Sequence, residues 1–162
     1  EVTNNSGLET IARVGQSFRF PAAFDTLTWY GTGPWETYAD RKDAALIGLY
    51  TSSGAEQHVP FVVPCECGGH EDTRFAALSD GTHTVQIVGS DDFHFSALPY
   101  SMAEYRKAAY EEELPEHTTG TWLILDAAHA GLGGDTGWTK NIHPEYRVCK
   151  GRYSYTFRFH FA

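Results

Sequence analysis

Several features that would mark common classes of protein are missing from this 162-residue sequence. No stretch approaches the roughly 18 consecutive apolar residues that suggest a membrane-spanning helix. Lysine and arginine together number 12 against 21 aspartates and glutamates, which gives a formal charge of -9. No basic run is available to neutralise the phosphates of a nucleic acid. We therefore expect neither a membrane nor a nucleic acid as a partner.

Cysteine and methionine are scarce. The three cysteines, Cys65, Cys67 and Cys149, are an odd number and too few for a disulfide framework, so free thiols are expected. The single methionine is Met102, and the chain opens with Glu1. We therefore expect a processed chain or an excised piece of a longer one. A cytoplasmic location is a separate expectation.

The composition itself is that of a globular protein. Hydrophobic residues make up 41%, aromatic residues 14% and charged residues 20% of the chain. A chain of this length buries about 70% of its unfolded surface when it folds alone, which is enough for a sizeable core. We expect a single domain over residues 1–162.

Alternation of apolar and polar side chains predicts mainly strands. From Arg152 to Phe161 aromatic residues occupy every second position, which indicates a half-buried strand. Arg13 to Phe20 is a second candidate, ended by Pro21. Shorter candidates, separated by glycine and proline clusters, cover 26–30, 57–63, 73–78, 83–88, 93–97 and 121–126. Many short strands without alternating long helices predict an all-β fold, an antiparallel β-sandwich.

One stretch favours a helix. Ser101 and Glu104 form a capping box, and helix-forming residues follow until Leu114 and Pro115. These signals predict one short helix near 101–113, whose acidic end at 111–113 is a solvated face rather than a catalytic cluster. The segment 40–46 is a weaker second candidate.

Two groupings could carry chemistry, and neither forms a complete site. Cys65, Cys67 and His70 are spaced more tightly than usual zinc ligands and lack a fourth partner, so incidental thiols are the better interpretation. Asp126 and His129 could form part of a hydrolytic dyad, but no serine lies in a G-x-S-x-G elbow. No pair of carboxylates stands out as a glycosidase site. We expect no catalytic residue and no metal ligand in this chain.

The segment from Gly131 to Trp138 is more informative. Its four glycines indicate a loop whose backbone turns sharply or approaches something closely. Trp138, at the far end, has two interpretations. It either folds back onto the core or serves as a platform on which a sugar ring stacks.

The segment from Trp29 to Arg41 is the second dense cluster. Its Gly-x-Gly is not a phosphate loop, because Pro34 removes an amide donor and no helix of the dinucleotide-binding type follows. A tight turn leading to a charged, aromatic interface with another domain is the more economical interpretation. The candidate interface residues are Trp29, Trp35, Glu36, Tyr38, Asp40 and Arg41.

These segments and two others fit a known set of motifs. W-x-G-x-G-P-x-E-x-Y-x-D-R is matched without a gap by Trp29, Gly31, Gly33, Pro34, Glu36, Tyr38, Asp40 and Arg41. P-x-E-x-G is matched by Pro64, Glu66 and Gly68, and the final G-R-Y-x-Y by Gly151, Arg152, Tyr153 and Tyr155. The motif W/Y-L-x-x-D…G-x-G-G-D-D-S-W is matched, except at its second D and its S, by Trp122, Leu123, Asp126, Gly131, Gly133, Gly134, Asp135 and Trp138. From about Ala12 to Phe161 the sequence resembles the C-terminal domain of glycoside hydrolase family 2 β-galactosidases of the bacterial, lactose-cleaving type.

The resemblance implies a fold, a reaction and partners. The chain would be the latter part of a large, galactose mutarotase-like supersandwich, which some relatives encode as a separate small subunit. The family's two catalytic glutamates, with magnesium and sodium, belong to a (β/α)8 barrel of about 250 residues, which this chain is too short to contain. The implied partners are that barrel or large subunit and a β-galactoside substrate such as lactose. The chain alone is predicted to be inactive, and its unpaired sheet edges favour a homo-oligomer.

The resemblance also favours the functional interpretation of Trp138. The family's tryptophan at this position stacks on the substrate sugar, and Gly133, Gly134 and Asp135 would shape the loop that carries it. Thr136 and Gly137 depart from the family's Asp and Ser. Tyr110 and Glu112 likewise stand where the family has a pair of histidines. A stand-alone carbohydrate-binding sandwich and a purely structural interface domain are the alternatives.

Overall fold

The computed structural model describes residues 1–118, 120–134 and 141–162. The strands are β1 (Val2–Thr3), β2 (Thr10–Ile11), β3 (Arg13–Phe20), β4 (Thr26–Gly33), β5 (Leu46–Ser53), β6 (Gly69–Ser79), β7 (Thr84–Leu98), β8 (Thr121–His129), β9 (Val148–Cys149), β10 (Arg152–Tyr153) and β11 (Phe157–Phe161). The helices are α1 (Gly54–Gln57) and α2 (Met102–Lys107), with 3-10 turns at Glu111–Glu113 and Pro144–Tyr146. The predicted all-β class is confirmed.

Seven strands form the main sheet, and each pairing in it is antiparallel. The order is β3-β8-β7-β6-β4-β5, and β11 also pairs with β7. β7 has room for both because its first half, Val85 to Gly89, pairs with β11, whereas its second half, His94 to Leu98, pairs with β8. The pairs β1–β10 and β2–β9 form two small ribbons.

One face of the sheet encloses the main core. Its fully buried members include Leu27, Trp29 and Phe95 from three different strands. Phe18 of β3 contacts Phe159 of β11 with ring centroids 5.1 Å apart, so strands distant in the sheet face each other across this core. This closure is the sandwich arrangement that the strand pattern predicts.

The predicted helix near 101–113 begins where expected but is shorter. The Ser101 hydroxyl accepts the N–H of Glu104, and the Glu104 carboxylate accepts the N–H of Ser101 at 2.7 Å, which completes the capping box. The helix ends at Lys107 because the chain that follows it bonds to the segment between α1 and β6. The N–H of Glu111 donates to the carbonyl of Val62, and its carboxylate lies 2.6 Å from His58.

Several boundaries differ from the sequence-based expectation. The predicted strand 57–63 is wrong, since α1 with its own Ser53–Glu56 capping box ends at Gln57 and an irregular segment follows. The helix candidate at 40–46 is also wrong: a tight turn occupies this region, and β5, which the pattern missed, begins at Leu46.

Two further strand predictions need correction. The candidates 83–88 and 93–97 are one continuous strand, β7. The C-terminal alternation is divided between β10 and β11, because its first residues pair with β1 and its last with β7. None of the helices that the structure describes combines the length and apolar character needed to cross a membrane.

Candidate functional site

A tight turn after β4 presents Asp40 at its tip. Tyr38 and Arg41 pair across the turn, with the N–H of Arg41 donating to the carbonyl of Tyr38 at 2.7 Å. The ring of Tyr38 is fully buried and packs on the imidazoles of His94 and His129, each at 5.4 Å between centroids. The base of the turn is therefore fixed in the interior while Asp40 faces the neighbouring loop.

Asp40 joins the two segments that the sequence singled out. Its carboxylate accepts backbone N–H groups from Leu132 at 2.9 Å, Gly133 at 2.6 Å and Gly134 at 2.9 Å. We call this set of three hydrogen bonds the Asp40 contact. It ties the turn of the first motif to the glycine-rich loop that follows β8.

The glycines of the loop are required by this contact. A Cβ on Gly131 would lie 2.5 Å from the Asp40 carboxyl carbon, and one on Gly134 would lie 2.7 Å from the Asp40 carbonyl oxygen. Gly133 has φ +81°, a left-handed conformation that residues with a Cβ rarely adopt. The predicted close backbone approach is thus an approach to Asp40.

The charge of Asp40 is stabilised by its partners. Burial acts to raise the pKa of Asp40, but the backbone N–H groups of Gly134, Leu132 and Gly133 outweigh it and hold the pKa below its ordinary value. The carboxylate is therefore ionised at neutral pH. Hydrogen bonds to an ionised acceptor are roughly twice as strong as those between neutral groups.

Glu36 and Arg41 link the same turn to the Pro64–Gly68 motif. The Arg41 guanidinium donates to one oxygen of Glu36, and the other oxygen accepts the N–H of Gly68 at 2.9 Å. The guanidinium also lies over the ring of Tyr38, 5.3 Å from its centroid. Three of the sequence motifs therefore meet at one place.

Two cavities flank the glycine-rich loop. A cleft of about 400 Å³ is lined by Arg41, Phe61, Cys65, Glu66, Leu132, Gly133 and Gly134. The other, of about 620 Å³, has a mainly apolar lining that includes Ile11, Ala130, Ile142 and Val148. The first cleft combines charged groups with an aromatic ring, a combination suited to a polar ring-shaped ligand.

A buried polar network lies beneath the turn. The Arg13 guanidinium bonds Glu66 at 2.7 Å and approaches Asp126 at 3.5 Å, while His94 Nδ1 lies 3.1 Å from Asp126. Burial acts to raise the pKa of Glu66, but the nearby His129, whose Nε2 lies 3.8 Å away, and the charge of Arg13 hold it below its ordinary value. The network is therefore an ion-paired support for the surrounding strands.

Donor atoms of His94, Asp126 and His129 lie within 4.8 Å of one another, close enough to suit a metal ion. Asp126, however, already binds His94 and Arg13, and His129 Nδ1 donates to the Ala130 carbonyl at 2.7 Å. Within the part of the chain that the structure describes, His94 Nε2 and Asp126 Oδ1 have no hydrogen-bond partner.

These two unpartnered atoms do not face a common cavity. A Cβ on Gly69 would lie 2.3 Å from His94 Nε2, and one on Gly15 would lie 2.1 Å from Asp126 Oδ1. Each atom thus faces the backbone of a different strand, β6 or β3. The arrangement does not suit a shared ion, and we assign no metal to it.

The other candidate ligands do not converge either. Cys65, Cys67 and Cys149 are free thiols. Burial raises the pKa of Cys67 to about 11, and its sulfur lies 3.8 Å from the Tyr105 hydroxyl. His70 is occupied by Gln57 and by the Thr32 carbonyl.

The predicted site residues have different outcomes. Gly133 and Gly134 lie in the Asp40 contact, whereas Asp135 and Trp138 lie outside the described residues. Among the interface candidates, Trp29 and Tyr38 are buried in this chain's own core and offer no side-chain surface to a partner. Trp35 and Arg41 are exposed, and Glu36 and Asp40 are partly exposed.

Sequence reasoning missed the joining role of Asp40. The available signal was a lone carboxylate on a tight turn together with a run of glycines whose amides needed acceptors. It also missed that Arg13 and Glu66 share a buried network with Asp126 and His129. Nothing in the spacing of these four residues brings them together.

Comparisons with known proteins agree with this arrangement of motifs. The family model described as β-galactosidase small chain matches residues 1–159. The β-galactosidase BgaC of Bifidobacterium adolescentis is 36% identical over 89% of this chain, and the β-galactosidase of Vibrio cholerae is 37% identical over 96%. The β-galactosidase of Priestia megaterium is 38% identical over 90%. The chain spans 14% of the length of each of these relatives. This chain belongs to the β-galactosidase small chain family.

Proposed function

We propose that this chain is the C-terminal, non-catalytic domain of a retaining β-galactosidase of glycoside hydrolase family 2. The observation that carries the proposal is the family match over residues 1–159 together with a span of only 14% of each relative. The rest of such a protein has ample length for a catalytic barrel of about 250 residues. The activity of the whole enzyme would be hydrolysis of terminal β-D-galactosides such as lactose.

Within that enzyme, Trp138 would complete the substrate site. An indole offers a flat apolar face on which a sugar ring can stack, with little side-chain entropy to lose. Its role would be to hold the sugar so that the carboxylates of the barrel meet the anomeric carbon in a productive geometry. Gly133, Gly134 and Asp135 would shape the loop. The anchored start of this loop at Asp40 supports the proposal.

The chemistry would belong to the partner. The catalytic glutamates, magnesium and sodium are proposed for the barrel, and this chain supplies no catalytic residue. The chain alone would therefore hydrolyse nothing. The enzyme is proposed to be cytoplasmic.

The barrel would contact this chain through its exposed side chains. Trp35 and Arg41 are exposed beside the Asp40 turn. Among the described residues β5 pairs with β4 alone, and its Leu46 and Leu49 are exposed. An apolar open edge of this kind favours association with another part of the enzyme, or a homo-oligomer of the isolated chain.

A stand-alone carbohydrate-binding sandwich is the second candidate. The cleft lined by Arg41, Phe61 and Glu66 favours it, because charged groups beside an aromatic ring suit a sugar. This candidate predicts measurable sugar affinity without any partner. It also predicts no gain in hydrolysis when a barrel is added.

Hydrolysis of a chromogenic β-galactoside tests the proposal. The chain is assayed alone and with a barrel-bearing large fragment from the same source, each with and without Trp138→Ala. We expect activity only in the mixture, reduced by Trp138→Ala while the complex still forms. Activity of the pure chain alone, or no complementation together with sugar binding by the chain, would contradict it.

A further inference from the structure

We propose that Asp40 is a positioning residue for the substrate site, a role that rests on the proposed function. Its carboxylate sets the position of backbone 132–134, from which the chain continues towards Trp138. Asp40 itself would touch no substrate. It would act through the loop that it holds.

The first support is the number of hydrogen bonds that one side chain makes. Oδ1 accepts the N–H of Leu132, and Oδ2 accepts the N–H groups of both Gly133 and Gly134. Three consecutive amides bonded to one carboxylate fix the peptide orientation of that segment. A single hydrogen bond would leave it free to rotate.

The second support is the rigidity of the turn that carries Asp40. Tyr38 is fully buried, and Arg41 closes the turn by backbone pairing and also bonds Glu36. Asp40 is 92 to 94 residues distant in sequence from its three partners. The position of backbone 132–134 is thus fixed by a turn of the folded sheet rather than by residues close to it in sequence.

The third support is the composition of the loop. Glycines lose more conformational freedom on folding than other residues, so a segment with Gly131, Gly133 and Gly134 is ordered only at an entropic cost. The close fit of Gly131 and Gly134 against Asp40 explains why glycines stand there. The glycines thus permit the Asp40 contact, and their conformational freedom means that the loop needs this contact to become ordered.

Kinetics in the complex with the barrel-bearing fragment tests this role. Asp40→Asn removes the charge and one acceptor oxygen at nearly constant shape, and Asp43→Asn is the matched control, exposed on the same connection between β4 and β5. We expect Asp40→Asn to raise KM for lactose about tenfold, because small misplacements of a binding group weaken productive positioning. Asp43→Asn should leave KM unchanged.

A double variant separates positioning from mere support of the fold. If Asp40 acts through Trp138, Asp40→Asn combined with Trp138→Ala should raise KM no more than Trp138→Ala alone. Multiplicative effects of the two changes would overturn the inference. Asp40→Glu, which keeps the charge but moves it outward, is the second variant if Asp40→Asn does not fold, and it should raise KM in the same direction.

The two proposals fail in different ways. No effect of Trp138→Ala on KM would remove the proposed function and this inference with it. A raised KM in Trp138→Ala with an unchanged KM in Asp40→Asn would remove this inference alone. The amide proton shifts of Leu132, Gly133 and Gly134 in the isolated chain show directly whether Asp40→Asn has broken the hydrogen bonds.

Discussion

The indole of Trp29 packs against the imidazole of His70 with ring centroids 4.2 Å apart. Both rings reach the same backbone oxygen: Trp29 Nε1 donates to the Thr32 carbonyl at 3.0 Å, and His70 Nδ1 lies 3.2 Å from it. The first residue of the Trp29–Arg41 motif is therefore a core residue whose polar atom is satisfied.

Truncation of Trp29 should cost far more stability than truncation of Trp35. Trp29 is 1% exposed and Trp35 is 56% exposed, although six positions separate them in one motif. Trp29→Ala should lower the free energy of unfolding by about 3 to 5 kcal/mol, the range for a large buried aromatic residue. Trp35→Ala should change it by about 0.5 kcal/mol or less. Urea denaturation measures both, and similar losses would contradict the assigned core.

His70 makes the stability depend on pH. Burial lowers the pKa of His70 from 6.5 to about 3. In the unfolded chain the imidazole takes up its proton as the pH falls below about 6.5, whereas in the folded chain it stays neutral until about 3. The unfolded state thus binds more protons in this window, and stability falls with falling pH by about 1.4 kcal/mol per pH unit from this residue.

The pH dependence can be isolated with one matched pair. His70→Gln should flatten the dependence of the unfolding free energy on pH between 6.5 and 3. His117→Gln, which removes an exposed histidine, is measured in parallel as the matched control. An unaltered slope in His70→Gln would show that the neutral buried imidazole is not its source.

Local signals in the sequence predict local structure well here. The alternation at Arg13–Phe20 and the capping box at Ser101 each reappear as an element with the expected start. The sequence-based predictions fail where an element is defined by pairing with a strand far away in sequence. The aromatic alternation after Arg152 cannot reveal that β10 pairs with β1 while β11 pairs with β7.

The same division applies to the candidate site. A glycine-rich run predicts close backbone approach, because only glycine lacks the Cβ that would interfere. It does not name the approaching group, since Asp40 is more than ninety residues away in sequence. Trp29, which the sequence analysis proposed as an interface residue, is instead buried in the core. A motif records which residues occur together but not which of them face inwards.

Gly131 tests the close approach directly. A Cβ at this position would lie 2.5 Å from the Asp40 carboxyl carbon, so Gly131→Ala must displace the carboxylate or the loop. Overpacking of this kind destabilises by about 1 to 3 kcal/mol. Gly151→Ala is the control, because its nearest neighbour, the Tyr153 ring, would be 3.9 Å away. Thermal unfolding of the two variants should differ, and equal melting temperatures would argue against the Asp40 contact.

Arg13 holds two carboxylates, of which Asp126 is fully buried. Arg13→Met keeps much of the apolar stem but leaves Asp126 and Glu66 without their cation, so we expect a loss of about 3 kcal/mol or more in the free energy of unfolding. Arg106→Met, on the exposed face of α2, should change it by less than about 0.5 kcal/mol.

A compensating change tests whether charge is the cause. If Arg13→Met destabilises by leaving uncompensated buried charge, adding Asp126→Asn and Glu66→Gln should recover much of the loss, because neutral amides need no cation. Arg13→Lys should lie in between, since an ammonium supplies one point charge where the guanidinium spans two acceptors. If the triple variant is no more stable than Arg13→Met, packing of the arginine stem rather than its charge is what stabilises this part of the sheet.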